Sequence, residues 1–275
     1  MRLTVLRVPA RDAELAADRL WSAGGRAVEE LGGADGVVEL RTVLAADDTT
    51  SRGRLGPLPD DWMLAFVDAD EPPSEAWRDH AEPIAVNDEL VLLPAWLSSE
   101  HVRDVSDTSR TVEIEPAGSF GLGDHPTTRL SADAVWRLVS RGDRVLDVGC
   151  GSGVLSIIAV LRGAREVVAV DIAEAAREAT VANAERNGVA DVIDAATTPV
   201  HEIDGQFDVV LANMLAPTLI ALSADLRRLT APSGRLVISG ILADRHDHVL
   251  EAVRPMVVVS THVFEGWAAV ELCWP

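Results

Sequence analysis

Three glycines at alternate positions, Gly149, Gly151 and Gly153, lie between two short apolar runs, with Asp147 just before them and Asp171 closing the second run. Glycine serves where backbone angles exclude a side chain and where a ligand must approach the main chain closely. A carboxylate ending the following strand can accept from both hydroxyls of a ribose, so the segment reads as a cradle for a nucleoside. Three elements must position it. The apolar spacing predicts a strand over 144–148, a buried helix over 154–161 and a second strand over 166–170. On this reading the helix presents its N-terminal N–H groups to the ligand.

Two kinds of nucleotide ligand use such a turn. A dinucleotide fold spaces its glycines G-x-G-x-x-G, with an acid about 20 residues further on. Here the spacing is G-x-G-x-G behind an acid-bearing strand, a combination that resembles the first motif of the class I methyltransferases. That resemblance implies S-adenosylmethionine, which has no pyrophosphate and asks the turn only to pass under its methionine end and ribose.

Composition narrows the classes further. The 275 residues can bury one large core or two smaller ones, and a 48% hydrophobic content is that of a globular chain. No apolar run reaches the roughly 18 residues of a membrane span. The opening MRLTVLRVPARDAE runs into acids, unlike a secretory or transit peptide, so a cytoplasmic protein is expected. Two cysteines, Cys150 and Cys273, are too few for a disulfide framework or a metal site, and no metal is expected. A net charge of −20 argues against general nucleic-acid binding, which draws its affinity from neutralised phosphates, and favours a basic protein partner. Every basic residue is arginine; there is no lysine.

Along the chain, residues 1–70 read as a small α+β domain: strands over 3–8, 28–31, 36–44 and 62–67, and one helix over 12–22. With residues 47–59 taken as a loop, this is a reduced ferredoxin-like arrangement, one helix short of a split β-α-β pattern. Asp68 to Ser74, rich in proline and acid, reads as a linker, and residues 71–115 as a bridge in which Trp77 and Trp96 pack. From residue 116 to 275, strands alternate with helices. Helices are expected over 127–139, 174–187, 216–229 and 244–253, and further strands over 192–195, 207–212 and 235–239. A hairpin over 256–272 ends the chain. Such alternation gives a mainly parallel α/β sheet wound on both faces. Seven strands ending in a hairpin resemble the class I methyltransferase arrangement.

Three segments sharpen the resemblance. FGLGDHPTTRL, VLDVGCGSGVLSI and FDVVLANML followed by GRLVISGIL resemble the PrmA family, which methylates large-subunit ribosomal protein number eleven. The His-Pro-Thr-Thr loop and the Asn-x-Leu after the fourth strand are its specific parts. The resemblance implies an S-adenosylmethionine-dependent protein N-methyltransferase with a ribosomal protein as its partner. It implies cofactor contacts at Thr128, Gly149, Asp171 and Asn213, with Gly151, Gly153 and Asp147 completing the glycine motif. Asn213 can also accept from an attacking amine, or act only as a turn-former. His125 is a candidate general base, or a loop-building residue. Leu122 and Asp124 depart from the family pattern, which has threonine and a small or hydroxyl residue there, and Thr197-Thr198 stands where many methyltransferases carry an acid for adenine. Two other readings stay open: a class I methyltransferase with a different protein or small-molecule substrate, and a cofactor-binding interaction module without catalysis.

Overall fold

A computed structural model describes residues 1–25, 28–32, 36–69, 81–98, 110–115 and 125–275. The chain divides into two compact units, Met1–Ala81 with Ala117–Phe120, and Glu82–Pro116 with Gly121–Pro275.

In the first unit the order is β1 (Arg2–Pro9), α1 (Ala13–Ser22), β2 (Glu29–Gly32), β3 (Val37–Thr42), α2 (Asp48–Leu55) and β4 (Met63–Asp68). The strands form an antiparallel sheet in the order β2-β3-β1-β4. Alternate residues Leu6 and Val8 of β1, and Val38 and Leu40 of β3, pack with Ala16 and Leu20 of α1 and Leu55 of α2. The helix α2 corrects the expected loop over 47–59. Its sequence, DTTSRGRL, has one apolar residue and so no readable period. It forms because the Asp47 carboxylate caps it, accepting from the Thr50 N–H and hydroxyl at 2.8 Å each, and because Leu55 is buried. Arg2 holds Asp48 through two bonds of 2.7 and 2.8 Å. The pattern is therefore β-α-β-β-α-β with both helices, not one short.

The second unit begins with a small sheet of β5 (Ile84–Asn87), β6 (Leu90–Pro94) and β7 (Arg110–Ile114), in that order. Leu90, Leu92, Val112 and Ile114 are fully buried in the same core as the central strands. The described residues of the stretch expected as a bridge, 82–98 and 110–115, therefore share this unit's core. Trp96 packs against that core, whereas Trp77 lies outside the described residues.

The large sheet follows: α3 (Pro126–Leu138), β8 (Arg144–Val148), α4 (Val154–Leu161), β9 (Glu166–Val170), α5 (Glu174–Arg186) and β10 (Ile193–Ala196). Then come β11 (Phe207–Asn213), α6 (Ala216–Leu229), β12 (Thr230–Leu242), α7 (Asp247–Ala252), β13 (Val257–Phe264) and β14 (Trp267–Cys273). The seven strands run β10-β9-β8-β11-β12-β14-β13, parallel from β10 to β12, with β14 antiparallel to both its neighbours. Both faces are covered, which is why these strands are nearly continuous apolar runs. Val145, Val209 and Leu211 face α3 and α4, while Leu146, Val210 and Leu236 face α6 and α7. From β8 the chain builds outward through β9 and β10, then returns to the other side of β8 with β11. Such a reversal opens a crevice at the carboxyl ends of β8 and β11, where α/β sheets bind ligands. Among the described residues no helix is long and apolar enough to cross a membrane.

Candidate active site

Register places the expected residues on one edge. Val148 lies opposite Val170 on one side and Ala212 on the other, so Gly149, Asp171 and Asn213 leave their strands at neighbouring points. The three turn glycines have φ of +74° (Gly149), +54° (Gly151) and +79° (Gly153), a region that excludes most side chains. Space is restricted as well: a Cβ at Gly153 would meet Thr180 at 2.8 Å, and one at Gly149 would meet the Met214 sulfur at 3.1 Å.

Asp171 is partly exposed, and each of its oxygens is oriented by the backbone. The Gly151 N–H donates to Oδ2 at 3.2 Å and the Ala173 N–H to Oδ1 at 2.9 Å. A carboxylate has about four acceptor sites. Among the described residues two remain, one per oxygen, which is what a pair of vicinal hydroxyls needs. Beside it Ile172 is 96% exposed. An aliphatic side chain held in water at a ligand edge offers a surface for a flat base, while Thr197 and Thr198 at the end of β10 are also exposed.

The start of α3, which carries Thr128, is held against the C-terminal hairpin. Trp267 pairs with Leu242 at the end of β12, and the His125 ring packs edge-on against Trp267 with centroids 5.1 Å apart. Arg129 lies over the Phe264 ring at 4.6 Å. His125 caps α3, its Nδ1 accepting from the Thr127 N–H at 3.2 Å and lying 2.7 Å from the Thr127 hydroxyl. These contacts give His125 a structural task and leave the first-turn bonding to Thr127. The Thr128 hydroxyl is buried and, among the described residues, has no hydrogen-bond partner; the Ser131 hydroxyl one turn later shares that state. An unpaired buried polar group costs about 1–3 kcal/mol. Ligand contact at Thr128 would remove that cost.

Asn213 ends β11 with its carboxamide partly exposed and uncommitted among the described residues. It does not cap the following helix, whose N-cap is Leu215 without a side-chain bond. The turn after it is held by a close approach the sequence reading did not single out. The Met214 N–H donates to the Ser239 carbonyl at 3.1 Å, and Gly240 has φ +82°, where a Cβ would sit 2.4 Å from the Met214 carbonyl oxygen. The strand expected to end at 239 continues through Gly240 to Leu242, with a break in its pairing to β14 between Ile238 and Ile241. Gly240→Ala should destabilise the protein by about 3 kcal/mol or more, from left-handed strain plus a backbone clash. A denaturant titration giving less than about 1 kcal/mol would contradict this account.

Asp147 is 1% exposed and is tied to α4. Its carboxylate accepts from the Ser156 hydroxyl at 2.6 Å and from the Ser156 backbone N–H. The first turn of α4 is therefore occupied by a protein carboxylate instead of being offered to a ligand. That arrangement disfavours a pyrophosphate, which would need the helix terminus free. Burial raises the Asp147 carboxyl from 3.8 to about 6, with the nearby Asp171 charge adding to the rise. Because the folded value lies above the unfolded one, stability falls as pH rises from 3.8 towards 6 and then stays lower. Asp147→Asn keeps an oxygen for Ser156 and removes the charge. It should be more stable than wild type at pH 8 by roughly 2–3 kcal/mol, with the difference about 1 kcal/mol smaller at pH 5. Parallel urea-unfolding curves at the two pH values would show a constant difference if Asp147 were not responsible. Burial likewise pushes the Cys150 thiol up, keeping it neutral and packed on Thr180.

Leu122 and Asp124 lie outside the described residues. Ser156, Met214 and Gly240 were not anticipated. Only Gly240 carried a signal, a glycine inside an apolar strand run.

A seven-stranded sheet in this order, with a glycine turn after its first parallel strand, is the class I methyltransferase fold. A model of the family described as ribosomal protein L11 methyltransferase (PrmA) matches residues 67–273, and the chain belongs to that family. A ribosomal protein L11 methyltransferase from Citrifermentans bemidjiense is 38% identical over 205 residues, which make up 72% of this chain and 66% of the relative. One from Geobacter metallireducens is 43% identical over 176 residues, 64% of this chain and 56% of that protein. The chain thus spans just under two thirds of the length of the first relative and less of the second. A crystal structure of ribosomal protein L11 methylase from Lactobacillus delbrueckii subsp. bulgaricus superposes with a TM-score of 0.64 at 26% identity, covering 70% of this chain and 99% of that one.

Proposed function

We propose that this protein is an S-adenosylmethionine-dependent N-methyltransferase that modifies amines of a basic ribosomal protein in the cytoplasm. The relatives' names point to ribosomal protein L11 as the target. The observation that carries the reading is the Asn213 carboxamide, uncommitted among the described residues, on the strand beside the glycine turn, with the Asp171 carboxylate on that turn's other side. When bound, S-adenosylmethionine supplies an electrophilic methyl group on a sulfonium. Asp171 takes the ribose hydroxyls, Ile172 covers one face of the base, and Thr128 provides a hydroxyl from α3. Asn213 accepts one N–H of the target amine, which aims the lone pair away from the amide. Orientation of this kind can contribute about 7–11 kcal/mol, so a strong base is not required. A desolvated pocket favours the neutral amine, because burial lowers an amine's pKa. No proton transfer is assigned to His125, whose ring caps α3. The domain over residues 1–70 is read as the part that recognises the protein target, and the net charge of −20 suits a basic one without a nucleic-acid contact.

The test is incubation with methyl-labelled S-adenosylmethionine and ribosomes or free L11, followed by hydrolysis and amino-acid analysis. Since the chain contains no lysine, any labelled methyl-lysine arises on the target. Label in L11 supports the reading. Label in another protein redirects the substrate assignment, and none in any fraction favours a binding module.

A further inference from the structure

Helix α5 and its C-cap present two asparagines four residues apart, Asn183 and Asn187, towards β7. One edge of β7 pairs with β6, while the other has no strand neighbour among the described residues. Along that open edge, Glu113 and Glu115 exchange backbone bonds with the two side-chain amides. The Glu113 N–H donates to Asn187 Oδ1 at 3.0 Å and its carbonyl accepts from Asn187 Nδ2 at 2.8 Å. Glu115 does the same with Asn183, at 3.0 and 2.8 Å. Each amide stands in for one residue of a missing antiparallel strand.

Asn183 differs from Asn187 in one respect. Its second Nδ2 hydrogen goes to the carbonyl of Ser152 in the glycine turn, at 2.9 Å, whereas that of Asn187 returns to its own helix at the Asn183 carbonyl, 2.8 Å. One turn earlier on α5, the Thr180 hydroxyl donates to the Gly151 carbonyl at 3.1 Å. Two successive carbonyls of the turn are therefore drawn towards α5, and Asn183 ties one of them to the chain at Glu115. Asn183 is 1% exposed and uses both amide hydrogens and its oxygen. Aspartate lacks the two donors, serine lacks the reach and a second donor, and leucine lacks every polar atom.

We propose that Asn183 is a positioning residue for the methyl-donor site: it sets the pitch of the glycine turn against β7 without touching the ligand. This rests on the cofactor reading above. Binding of S-adenosylhomocysteine measured by calorimetry, with thermal melting alongside, separates the possibilities. Asn183→Ala should weaken binding roughly 10- to 100-fold, the scale of a misplacement of about 1 Å. Asn187→Ala loses the same kind of β7 bonds and should stay within about twofold of wild type, since it does not reach the turn. If Asn183→Ala does not fold, Asn183→Ser serves, with the same expected direction. A folded Asn183 variant that binds as tightly as wild type overturns the proposal. So does an Asn187→Ala variant that loses as much affinity as the Asn183 variant, because the effect would then be general loosening. Wild-type protein that binds no S-adenosylhomocysteine removes the cofactor reading itself, a result distinct from either.

Discussion

Replacing Asn213 with alanine is expected to lower kcat about 100- to 1,000-fold, the usual loss when one preorganised polar group is removed from a reacting centre. The prediction separates function from stability unusually well. Among the described residues the Asn213 carboxamide supports neither the β11 ladder nor the N-terminus of α6, so the variant should melt within a few degrees of wild type. S-adenosylhomocysteine affinity should fall less than about tenfold, because Asp171 and the turn remain. Asn213→Asp adds a second test with a sign. A carboxylate beside the target amine favours its protonated form, so the pH–rate profile should move to higher pH. Steady-state kinetics at saturating cofactor decide the matter: an alanine variant within about threefold of wild-type kcat would return Asn213 to the status of a turn residue.

Asp171→Ala should weaken cofactor binding roughly 100-fold or more. One or two charged hydrogen bonds to ribose, each worth about 1.5–3 kcal/mol, would be lost together. The carboxylate also receives the Gly151 and Ala173 N–H groups, so its removal frees the turn after β8 from the end of β9. Asp171→Asn should fall between the alanine variant and wild type. Its amide can keep one backbone donor, and its NH2 must face the other. Calorimetric titration with S-adenosylhomocysteine measures all three proteins, and unchanged affinity in the alanine variant would sink the ribose assignment.

Much of this site was legible in the sequence because its parts are local. Gly149, Gly151 and Gly153 announce positive φ, and the structure shows it at all three. Asp171 followed from its spacing to the turn and Asn213 from the family resemblance, and both end strands that a parallel sheet delivers to one edge. Helix α2 was not legible: a polar helix held by a cap and one buried leucine has no period to read. Nor was the place of residues 82–98 and 110–115, because short strands show which residues are apolar and not which core they join.

By itself the sequence determined the cradle, the order of strands and helices, and the residues that end the strands, since backbone permission and hydrophobic period are properties of neighbours in the chain. Tertiary structure alone decided what each polar side chain does. Asp147 and Asp171 are both acids beside one glycine turn, yet the first is buried against Ser156 and the second keeps free acceptors at the edge. Asn183 and Asn213 are both asparagines, one with every hydrogen bond satisfied inside the fold and the other uncommitted. The distinction lies in which partners come within about 3 Å, and that is set by packing between segments far apart in the chain.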